Sequence, residues 1–449
     1  MNTKKRILFI GHNFAPEPTG IGKYSGEMME WLSNKGNDCT VITTYPHYPY
    51  WKIQLPYKNG WYKKESVSFP ENSGKLTIYR CPLYVPQSLT GKNRILHDFS
   101  FVCSMFFVVL KMVLFHKSFD YIITVAPPFH LSYLSLFYRK LRGGKIIYHV
   151  QDLQIEAAQK SNLLKGKKLF NFLYKAEKVI LKSCDVVSTI SDGMINKIQS
   201  KVDRKVLFFP NWVETSVFYP VNNKSILKEN LGFKKDQFIC LYSGSIGEKQ
   251  GLENIIYAAE NLSENKRIQF IICGTGPNKC KLQEIVTNKK LNNVTFLPLQ
   301  DKNNFNDFLN VADLHLIIQK AYIGDLVMPS KLQTILSAGG VSLVTAERDT
   351  SLQKLVENFN MGYVVEPDDH LKLTENILQI SAIDHTHKRI NARKYALQYL
   401  DIDNVMSKFI DELSTMFPSA SGEPQNSLSF GTVIIGLTSF LSLLVHRIR

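Results

Sequence analysis

An anion-binding site is indicated by the segment that begins at Pro329. Pro329 and Ser330 are residues that open helices, with Ser330 as the cap, and Gly339-Gly340 closes the helix before the strand-like run Val341–Thr345. A helix N-terminus presents unpaired N–H groups, and Lys331 adds a full positive charge in the same turn. We therefore expect Ser330 and Lys331 to bind an anion.

Two glycine-containing loops precede this segment, and each follows a strand-like run. The first, Ser243–Gly251, contains Lys249 just before a predicted helix start, where its ammonium could meet a diphosphate. The second contains Gly274 and Gly276. Strand-end loops of a parallel sheet open on one edge, so both loops and Lys331 are predicted to lie together. For Lys249 alone, a solvated turn lysine is the simpler alternative.

A further glycine-rich loop follows the first strand of the chain. Gly20 and Gly22 stand before a helix predicted from Lys23, and they could bring backbone N–H groups close to a ligand. The dinucleotide pattern G-x-G-x-x-G is not met, because the next glycine is Gly26 rather than position 25. A plain strand-to-helix turn is an equally good interpretation of this loop.

His149 is a candidate for acid–base chemistry. It ends the strand-like run Lys145–His149, and Asp152 and Glu156 follow within one or two helical turns. A histidine with a nearby carboxylate at a strand end could orient or activate a hydroxyl, although a histidine that only ends a strand is common. The acidic triplet Asp401-Ile-Asp403 falls in a helical region, so we expect no metal there.

The elements that must position these residues alternate between short apolar runs and longer amphipathic stretches, the β-α-β order of parallel sheets. This pattern restarts near residues 210–235, so the fold class is predicted as α/β with two doubly wound domains. Expected limits are 1–209 and 210–395, a C-terminal helix over 396–417 that packs back towards the first domain, and a linker over 418–427. The apolar stretch Phe99–Phe115 is predicted to be a buried crossover helix, with a transmembrane helix as the alternative.

Composition constrains the partners. The chain of 449 residues has 54 Lys and Arg against 39 acidic residues, a formal charge of +15, but no zinc finger, helix-turn-helix or RNA-binding signature, so nucleic acid is not expected. The seven cysteines indicate neither a disulfide framework nor a zinc site. Residues 428–446 are apolar until a basic end, which favours membrane attachment as a span or an in-plane anchor over a loosely buried tail.

Taken together, these segments resemble retaining glycosyltransferases of the GT-B fold, family 4, in the branch that builds colanic-acid-type surface polysaccharides. The resemblance covers most of residues 5–400. It rests on five motifs: Pro16–Gly22, Tyr242–Gly251, Ile272–Pro277, Asn293–Pro298, and Val311-Ala-Asp313 before Pro329-Ser-Lys331. The similarity to the colanic-acid-type branch rests on His149–Leu153 and Gly247–Gly251.

The resemblance implies two Rossmann-like domains that face a cleft, with a nucleotide-diphosphate sugar bound mainly by the second domain. Lys249, Ser330 and Lys331 would hold the diphosphate, and Gly20 and Gly22 would lie near the sugar. It also implies a lipid-linked glycan acceptor on the first domain, no metal or other cofactor, and a location on the cytoplasmic side of the membrane. A nucleotide-sugar epimerase and a catalytically weakened membrane-bound assembly partner remain as alternatives.

Three positions depart from the family pattern. Ser245 stands where many members have an arginine, and Leu326 and Thr334 stand where the two glutamates of the E-x7-E motif are expected. Thr334 could still hydrogen-bond a ribose, though more weakly than a carboxylate. The phosphate end of the donor site is therefore predicted more firmly than the nucleoside end.

Overall fold

The computed structural model describes residues 4–18, 20–87, 91–116, 118–160 and 166–418. The chain forms two compact units that divide between Phe209 and Pro210, and residues 414–418 belong to the first unit. The predicted membrane segment 428–446 and most of the predicted linker lie outside the described residues.

The first unit is built on a sheet of eight described strands in the order β3-β4-β2-β1-β5-β6-β7-β8. The strands are β1 Arg6–Ile10, β2 Asp38–Thr44, β3 Lys63–Phe69, β4 Gly74–Cys81, β5 Tyr121–Ala126, β6 Lys145–Val150, β7 Val186–Thr189 and β8 Leu207–Phe208. The helices are α1 Gly20–Asn34, α2 Gly91–Phe115, α3 Ser132–Arg142, α4 Gln154–Lys160, α5 Lys167–Ser183 and α6 Asp192–Gln199.

The second unit contains a six-stranded parallel sheet in the order β11-β10-β9-β12-β13-β14. Its strands are β9 Phe238–Ser243, β10 Ile268–Cys273, β11 Val294–Leu297, β12 Leu314–Ile317, β13 Ser342–Thr345 and β14 Gly362–Val365. The remaining helices are α7 Lys224–Asn230, α8 Glu253–Asn261, α9 Lys279–Asn288, α10 Phe305–Asn310, α11 Lys331–Ser337, α12 Ser351–Asn358, α13 His370–Ile380, α14 Thr386–Tyr395 and α15 Ile402–Met416. Apolar cores cover both faces of this sheet, as expected for buried parallel strands.

The predicted α/β class with two doubly wound, Rossmann-like sheets is confirmed. One strand, β3, was not predicted. It pairs antiparallel with β4 at the edge of the first sheet. Because the strand is mostly exposed, its sequence, Lys-Lys-Glu-Ser-Val-Ser-Phe, does not show the apolar residues of a buried face. Charged side chains on an exposed edge strand also discourage pairing with another chain.

Helix α2 is buried on one face only, which corrects the prediction of a buried crossover helix. Phe101, Met105 and Val109 pack inward, whereas Phe107 and Phe115 are 64% and 78% exposed. Of the helices described, α2 is the one whose length and apolar content would suffice to cross a membrane, a property that it shares with core helices of other proteins. The exposed face of α2 is apolar as well as the buried one, so the hydrophobic run extends beyond the stripe that packs inward.

Candidate active site

In each sheet the strand order reverses at one strand, and the loops at the carboxyl ends of the strands around that point form the usual ligand-binding crevice of doubly wound folds. In the second unit the reversal occurs at β9, which has β10 on one side and β12 on the other. The predicted residues Ser245, Lys249, Gly274 and Gly276 follow β9 and β10 directly. The sequence therefore places them at the crevice.

The loops after β9 and β10 join through their main chains. The backbone N–H of Gly244 donates to the Cys273 carbonyl at 3.0 Å, and that of Ile246 donates to Thr275 at 2.9 Å. A Cβ on Gly274 would stand 1.9 Å from the Gly244 oxygen, and one on Gly276 would stand 2.2 Å from the Ile246 oxygen. Both glycines have φ near +150°. These glycines therefore allow the two loops to pack against each other, and their contact with a ligand stays a prediction.

Lys331 lies against this pair of loops. Its Nζ is 3.6 Å from the centroid of the Tyr242 ring, a cation–π distance. A Cβ on Gly244 would be 3.0 Å from the same Nζ, so the glycine leaves room for the amine. Burial lowers the pKa of Lys331 to about 7. Within the described part of the chain, no acidic side chain forms an ion pair with Lys331, and the aromatic ring is its main electrostatic partner.

The structure corrects the predicted role of Ser330 as a helix cap. Ser330 has helical dihedral angles, φ −65° and ψ −14°, and its side chain makes no capping hydrogen bond to α11. A capping residue normally adopts extended angles so that its oxygen can reach the second or third N–H group. Thr334, one turn further on, is mostly buried and donates from its hydroxyl to the Lys331 carbonyl at 2.9 Å. A ribose contact by Thr334 stays a prediction.

Lys249 lies on the surface of the same loop, in a short 3₁₀ helix over Glu248–Gln250. The neighbouring Glu248 carboxylate accepts from the Lys320 amine at 2.5 Å and from the Asn278 amide at 3.1 Å. The Glu248 carboxylate, next to Lys249 in the chain, therefore already has two hydrogen-bond partners. Ser245 is exposed, and its carbonyl accepts from the Tyr242 hydroxyl at 2.5 Å, which links the loop to the ring under Lys331.

In the first unit the strand order reverses between β1 and β5, and the loop after β1 opens at that point. Helix α1 begins at Gly20 rather than near Lys23, and Gly20 has φ +60° with open space where a side chain would stand. Gly22 differs, because a Cβ there would be 2.7 Å from the Glu17 carboxylate. Gly22 thus makes room for Glu17, and contact between Gly20 and a ligand stays a prediction.

Glu17 is a buried carboxylate that sequence reasoning did not single out. One oxygen accepts from the backbone N–H groups of His47 and Tyr48, both at 2.9 Å, and the other accepts from the Asn13 amide at 2.8 Å. Burial outweighs these hydrogen bonds and raises the pKa of Glu17 to about 7. The sequence carries one signal for this site, because Glu17 is the one acidic residue of the loop Gly11–Gly22 and stands between two prolines.

His149 is held inside the sheet. Its Nε2 lies 3.1 Å from the Gln151 side-chain nitrogen, and its Nδ1 lies 3.0 Å from the hydroxyl of Ser188 on β7. With the amide nitrogen as donor, Nε2 accepts and Nδ1–H donates to Ser188. Burial lowers the pKa of His149 to about 3, so the ring is neutral. These contacts give His149 a place in the packing of β6 and β7, and its part in a reaction stays a prediction.

The acidic residues predicted near His149 have separate surroundings. Asp152 is half-buried just beyond β6. Glu156 forms an ion pair with Lys201, whose amine also lies 2.6 Å from Glu177, so the Glu156 carboxylate is committed to this cluster. In the C-terminal triplet, Asp401 accepts from the Thr215 hydroxyl at 2.6 Å, which gives that aspartate a structural contact.

A family model described as "Glycosyl transferases group 1" matches residues 223–397. The chain is 38% identical over 416 residues to the putative colanic acid biosynthesis glycosyl transferase WcaI of Escherichia coli (strain K12), covering 91% of this chain and 99% of that protein. The chain belongs to the group 1 glycosyltransferases. It is also 23% identical over 309 residues to the probable glycosyltransferase WbjE of Pseudomonas aeruginosa, covering 66% of this chain and 74% of that one.

Solved structures place this glycosyltransferase in the GT-B fold. Sucrose-phosphate synthase from Thermosynechococcus elongatus matches with a TM-score of 0.71 and 16% identity, covering 93% of this chain and 100% of that one. The Anabaena protein HepE, solved with UDP and glucose, matches with a TM-score of 0.65 and 14% identity, covering 92% and 100%. The residues predicted to bind the donor, from Ser245 to Thr334, all lie inside the range of the family model.

Proposed function

We propose that the protein is a retaining glycosyltransferase that moves a sugar from a nucleotide-diphosphate donor to a lipid-linked glycan acceptor during exopolysaccharide, capsule or O-antigen biosynthesis. The observation that carries the proposal is the Lys331 amine. It is a half-buried amine beside the Tyr242 ring and the Gly244 backbone, at a strand-order reversal, where a diphosphate would favour its charged form and accept its hydrogen bonds.

On the donor side of the reaction, the contribution of the protein is electrostatic stabilisation of the leaving diphosphate. When the glycosidic bond to the diphosphate breaks, negative charge develops on the leaving phosphate oxygen, and preorganised donors stabilise it. Lys331 and Lys249 would supply this charge, together with N–H groups of the loops after β9 and β10. Attack by the acceptor hydroxyl on the face that the diphosphate leaves retains the configuration of the sugar.

The acceptor half of the reaction is assigned to the first unit. Gly20 has open space at its Cα, which suits close approach of the transferred sugar. Asp152 lies just after β6, on the same edge of the sheet, and would contact a hydroxyl of the sugar or the acceptor. The neutral His149 ring is proposed to orient this loop through Gln151.

The membrane surface is the proposed location, on the cytoplasmic side. The exposed aromatic side chains of α2 and the 77% exposed Trp61 would enter the lipid headgroup region. The formal charge of +15 favours anionic lipid. The WcaI relative is described by its name as a colanic acid biosynthesis enzyme, which supports a lipid-linked glycan of a surface polysaccharide as the acceptor class.

A weakened, membrane-bound assembly partner is the second candidate, and two substitutions favour it. Ser245 carries no charge where the resemblance leads us to expect an arginine, and the Thr334 hydroxyl already donates a hydrogen bond to the Lys331 carbonyl. An epimerase of the same architecture would act on the donor without an acceptor.

A donor screen tests the proposal and separates these candidates. Thermal unfolding is measured with UDP-, GDP-, ADP- and dTDP-linked sugars, because a ligand at about 100 times its Kd stabilises the folded state by about 2.7 kcal/mol. The stabilising donor is then incubated with and without a lipid-linked acceptor. Sugar transfer that requires the acceptor supports the proposal, conversion of donor alone indicates an epimerase, and no nucleotide binding indicates the assembly partner.

A further inference from the structure

Three histidines from distant parts of the first unit meet beside its sheet. His12 follows β1, His47 follows β2, and His97 lies in the second turn of α2. All three side chains are buried, at 4%, 1% and 3% exposure. One ring nitrogen from each lies within 4.8 Å of the others, which makes this the metal-capable group found among the described residues.

The outer nitrogens of two rings are held by acceptors. His47 Nδ1 lies 2.9 Å from the Tyr45 carbonyl oxygen, and a carbonyl can only accept, so Nδ1 carries the hydrogen. His97 Nδ1 lies 3.2 Å from an Asp98 carboxylate oxygen, which accepts in the same way. Histidines that ligate metals characteristically donate their second ring N–H to a carbonyl or a carboxylate.

The inner nitrogens are left with lone pairs that face each other. The Nε2 atoms of His47 and His97 are 3.1 Å apart. With both hydrogens on Nδ1, this contact is repulsive unless a cation lies between the two atoms. His12 Nε2 is also buried, and it has no hydrogen-bond partner among the described residues; the nearest carboxylate oxygen, of Asp98, is 4.0 Å away. A bridging proton would satisfy two nitrogens, whereas a metal ion satisfies all three.

We propose that His12, His47 and His97 form a binding site for a divalent transition-metal ion of the Zn²⁺ class. Two imidazole nitrogens bound at 2.0–2.1 Å in tetrahedral geometry stand about 3.3 Å apart, close to the separation of His47 and His97. Three neutral imidazoles select zinc, cobalt, nickel or copper over magnesium or calcium, which prefer oxygen ligands. This site departs from the sequence-based expectation of no metal.

The ion would join three segments that are far apart in the chain: the loop after β1, the loop after β2, and the start of α2. Around it, Asp98 holds the His97 ring, and Phe101 and Trp51 pack against the imidazoles at centroid distances of 5.0 and 5.3 Å. A three-imidazole donor set leaves at least one coordination position for water or another ligand.

Metal titration of the untagged full chain tests the site. After removal of bound metal with a chelator, Co²⁺ is added and its visible absorption is recorded, and Zn²⁺ binding is measured by calorimetry and by the shift in Tm. We expect about one ion per chain, a tetrahedral Co²⁺ spectrum that Zn²⁺ abolishes, and a higher Tm with Zn²⁺.

Three substitutions make the test specific. His47→Gln and His97→Gln should each weaken Zn²⁺ binding by about 100-fold or more, because each removes a ligand. Asp98→Asn should weaken it by about 10- to 100-fold, because the outer partner of His97 loses its charge. His387→Gln, at an exposed histidine of the second unit, is the matched control and should bind like the wild type.

The proposal is overturned by a wild-type chain that binds no Co²⁺ or Zn²⁺ at micromolar concentration, a result that does not depend on the folding of any variant. It is equally overturned if folded His47→Gln and His97→Gln proteins keep the wild-type stoichiometry and spectrum. These readouts measure bound metal, so they stand apart from the success or failure of the donor screen.

Discussion

At the scale of single residues, the burial of the Lys331 amine should make donor binding depend on pH. Burial lowers the pKa of Lys331 to about 7, so the amine is mostly neutral at pH 8 in the free protein. A bound diphosphate favours the charged form and raises this pKa. Binding must then take up a proton at pH 8 and little at pH 5.5, where Lys331 is already charged.

Calorimetry in buffers of different ionisation enthalpy measures this uptake. We expect close to one proton per bound nucleotide sugar at pH 8, and an affinity that falls as the pH rises through about 7. Lys331→Met should bind more weakly and without the proton. Donor binding with no proton uptake at any pH, together with an unchanged affinity in folded Lys331→Met, would show that Lys331 does not contact the diphosphate.

We expect Lys249 to increase the rate of sugar transfer. If its ammonium stabilises charge on the leaving phosphate, Lys249→Ala should reduce kcat by about 100-fold or more. The matched control is Lys234→Ala, because Lys234 is also exposed but precedes β9 at the opposite end of the strand. Steady-state transfer assays compare the two, and equal rates in both folded variants would remove Lys249 from the reaction.

His149 offers a prediction that separates packing from chemistry. Its replacement by glutamine leaves the buried Ser188 hydroxyl and Gln151 amide without their shared partner, so the free energy of unfolding should fall by about 1–3 kcal/mol. Denaturant unfolding measures this change. Transfer kinetics on the folded variant then report any role in the reaction, and an unaltered kcat and KM would confine His149 to packing.

At the scale of elements, the two interlocked loops of the donor site should tolerate no side chain at their contact. Gly274→Ala would place Cβ against the Gly244 carbonyl and impose φ near +150° on alanine, so we expect a loss of at least about 2 kcal/mol and of donor binding. Gly247→Ala is the control, since its φ is −122° and its nearest neighbour is the flexible Gln250 side chain.

Thermal unfolding and donor affinity compare the two alanine variants. Gly247→Ala should remain within about 1 kcal/mol of the wild type. Similar losses in both variants would mean that the loops can separate to admit a Cβ, and the packing role assigned to Gly274 would be wrong.

The strands of both sheets were predictable because each parallel strand is a short apolar run. The strand-like runs Lys145–His149 and Val341–Thr345 correspond within one residue to β6 Lys145–Val150 and β13 Ser342–Thr345. β3 was missed because its stability comes from pairing with β4 rather than from burial of its own side chains. Sequence periodicity reports burial, and it carries little information on edge pairing.

The site was predictable in part. Lys331 and the two glycine loops could be placed at one sheet edge from their positions after strands, whereas the capping role of Ser330 was wrong because its backbone is already helical. Glu17 and the three histidines could not be grouped from sequence. His12, His47 and His97 lie on three separate elements, and only the tertiary fold brings their rings together.

At the scale of the whole molecule, membrane association is expected to depend on α2. Phe107 is 64% exposed on its outer face, and replacing it with serine should weaken binding to anionic vesicles. Leu371→Ser is the matched control, at a 60% exposed apolar position of the second unit. Vesicle co-sedimentation is compared in the full chain and in a chain that ends at Pro418, which lacks the predicted membrane segment.

The vesicle experiment separates two contributions. We expect the chain that ends at Pro418 to bind anionic vesicles in a salt-sensitive way, consistent with a charge excess of +15 in the full sequence. Phe107→Ser should reduce this remaining binding, and Leu371→Ser should not. Loss of all binding on truncation would assign membrane association to the C-terminal segment alone.

The contact between residues 244–247 and 274–276 has a consequence for protein engineering. Main-chain groups and glycines make this surface, so it offers the same N–H and carbonyl groups whatever base or sugar the donor carries. Libraries that aim at a different donor preference should therefore leave these glycines fixed and vary neighbouring side chains such as Ser245 and Thr334. Selection would then act on recognition of the nucleoside without cost to the loops that we propose to hold the phosphates.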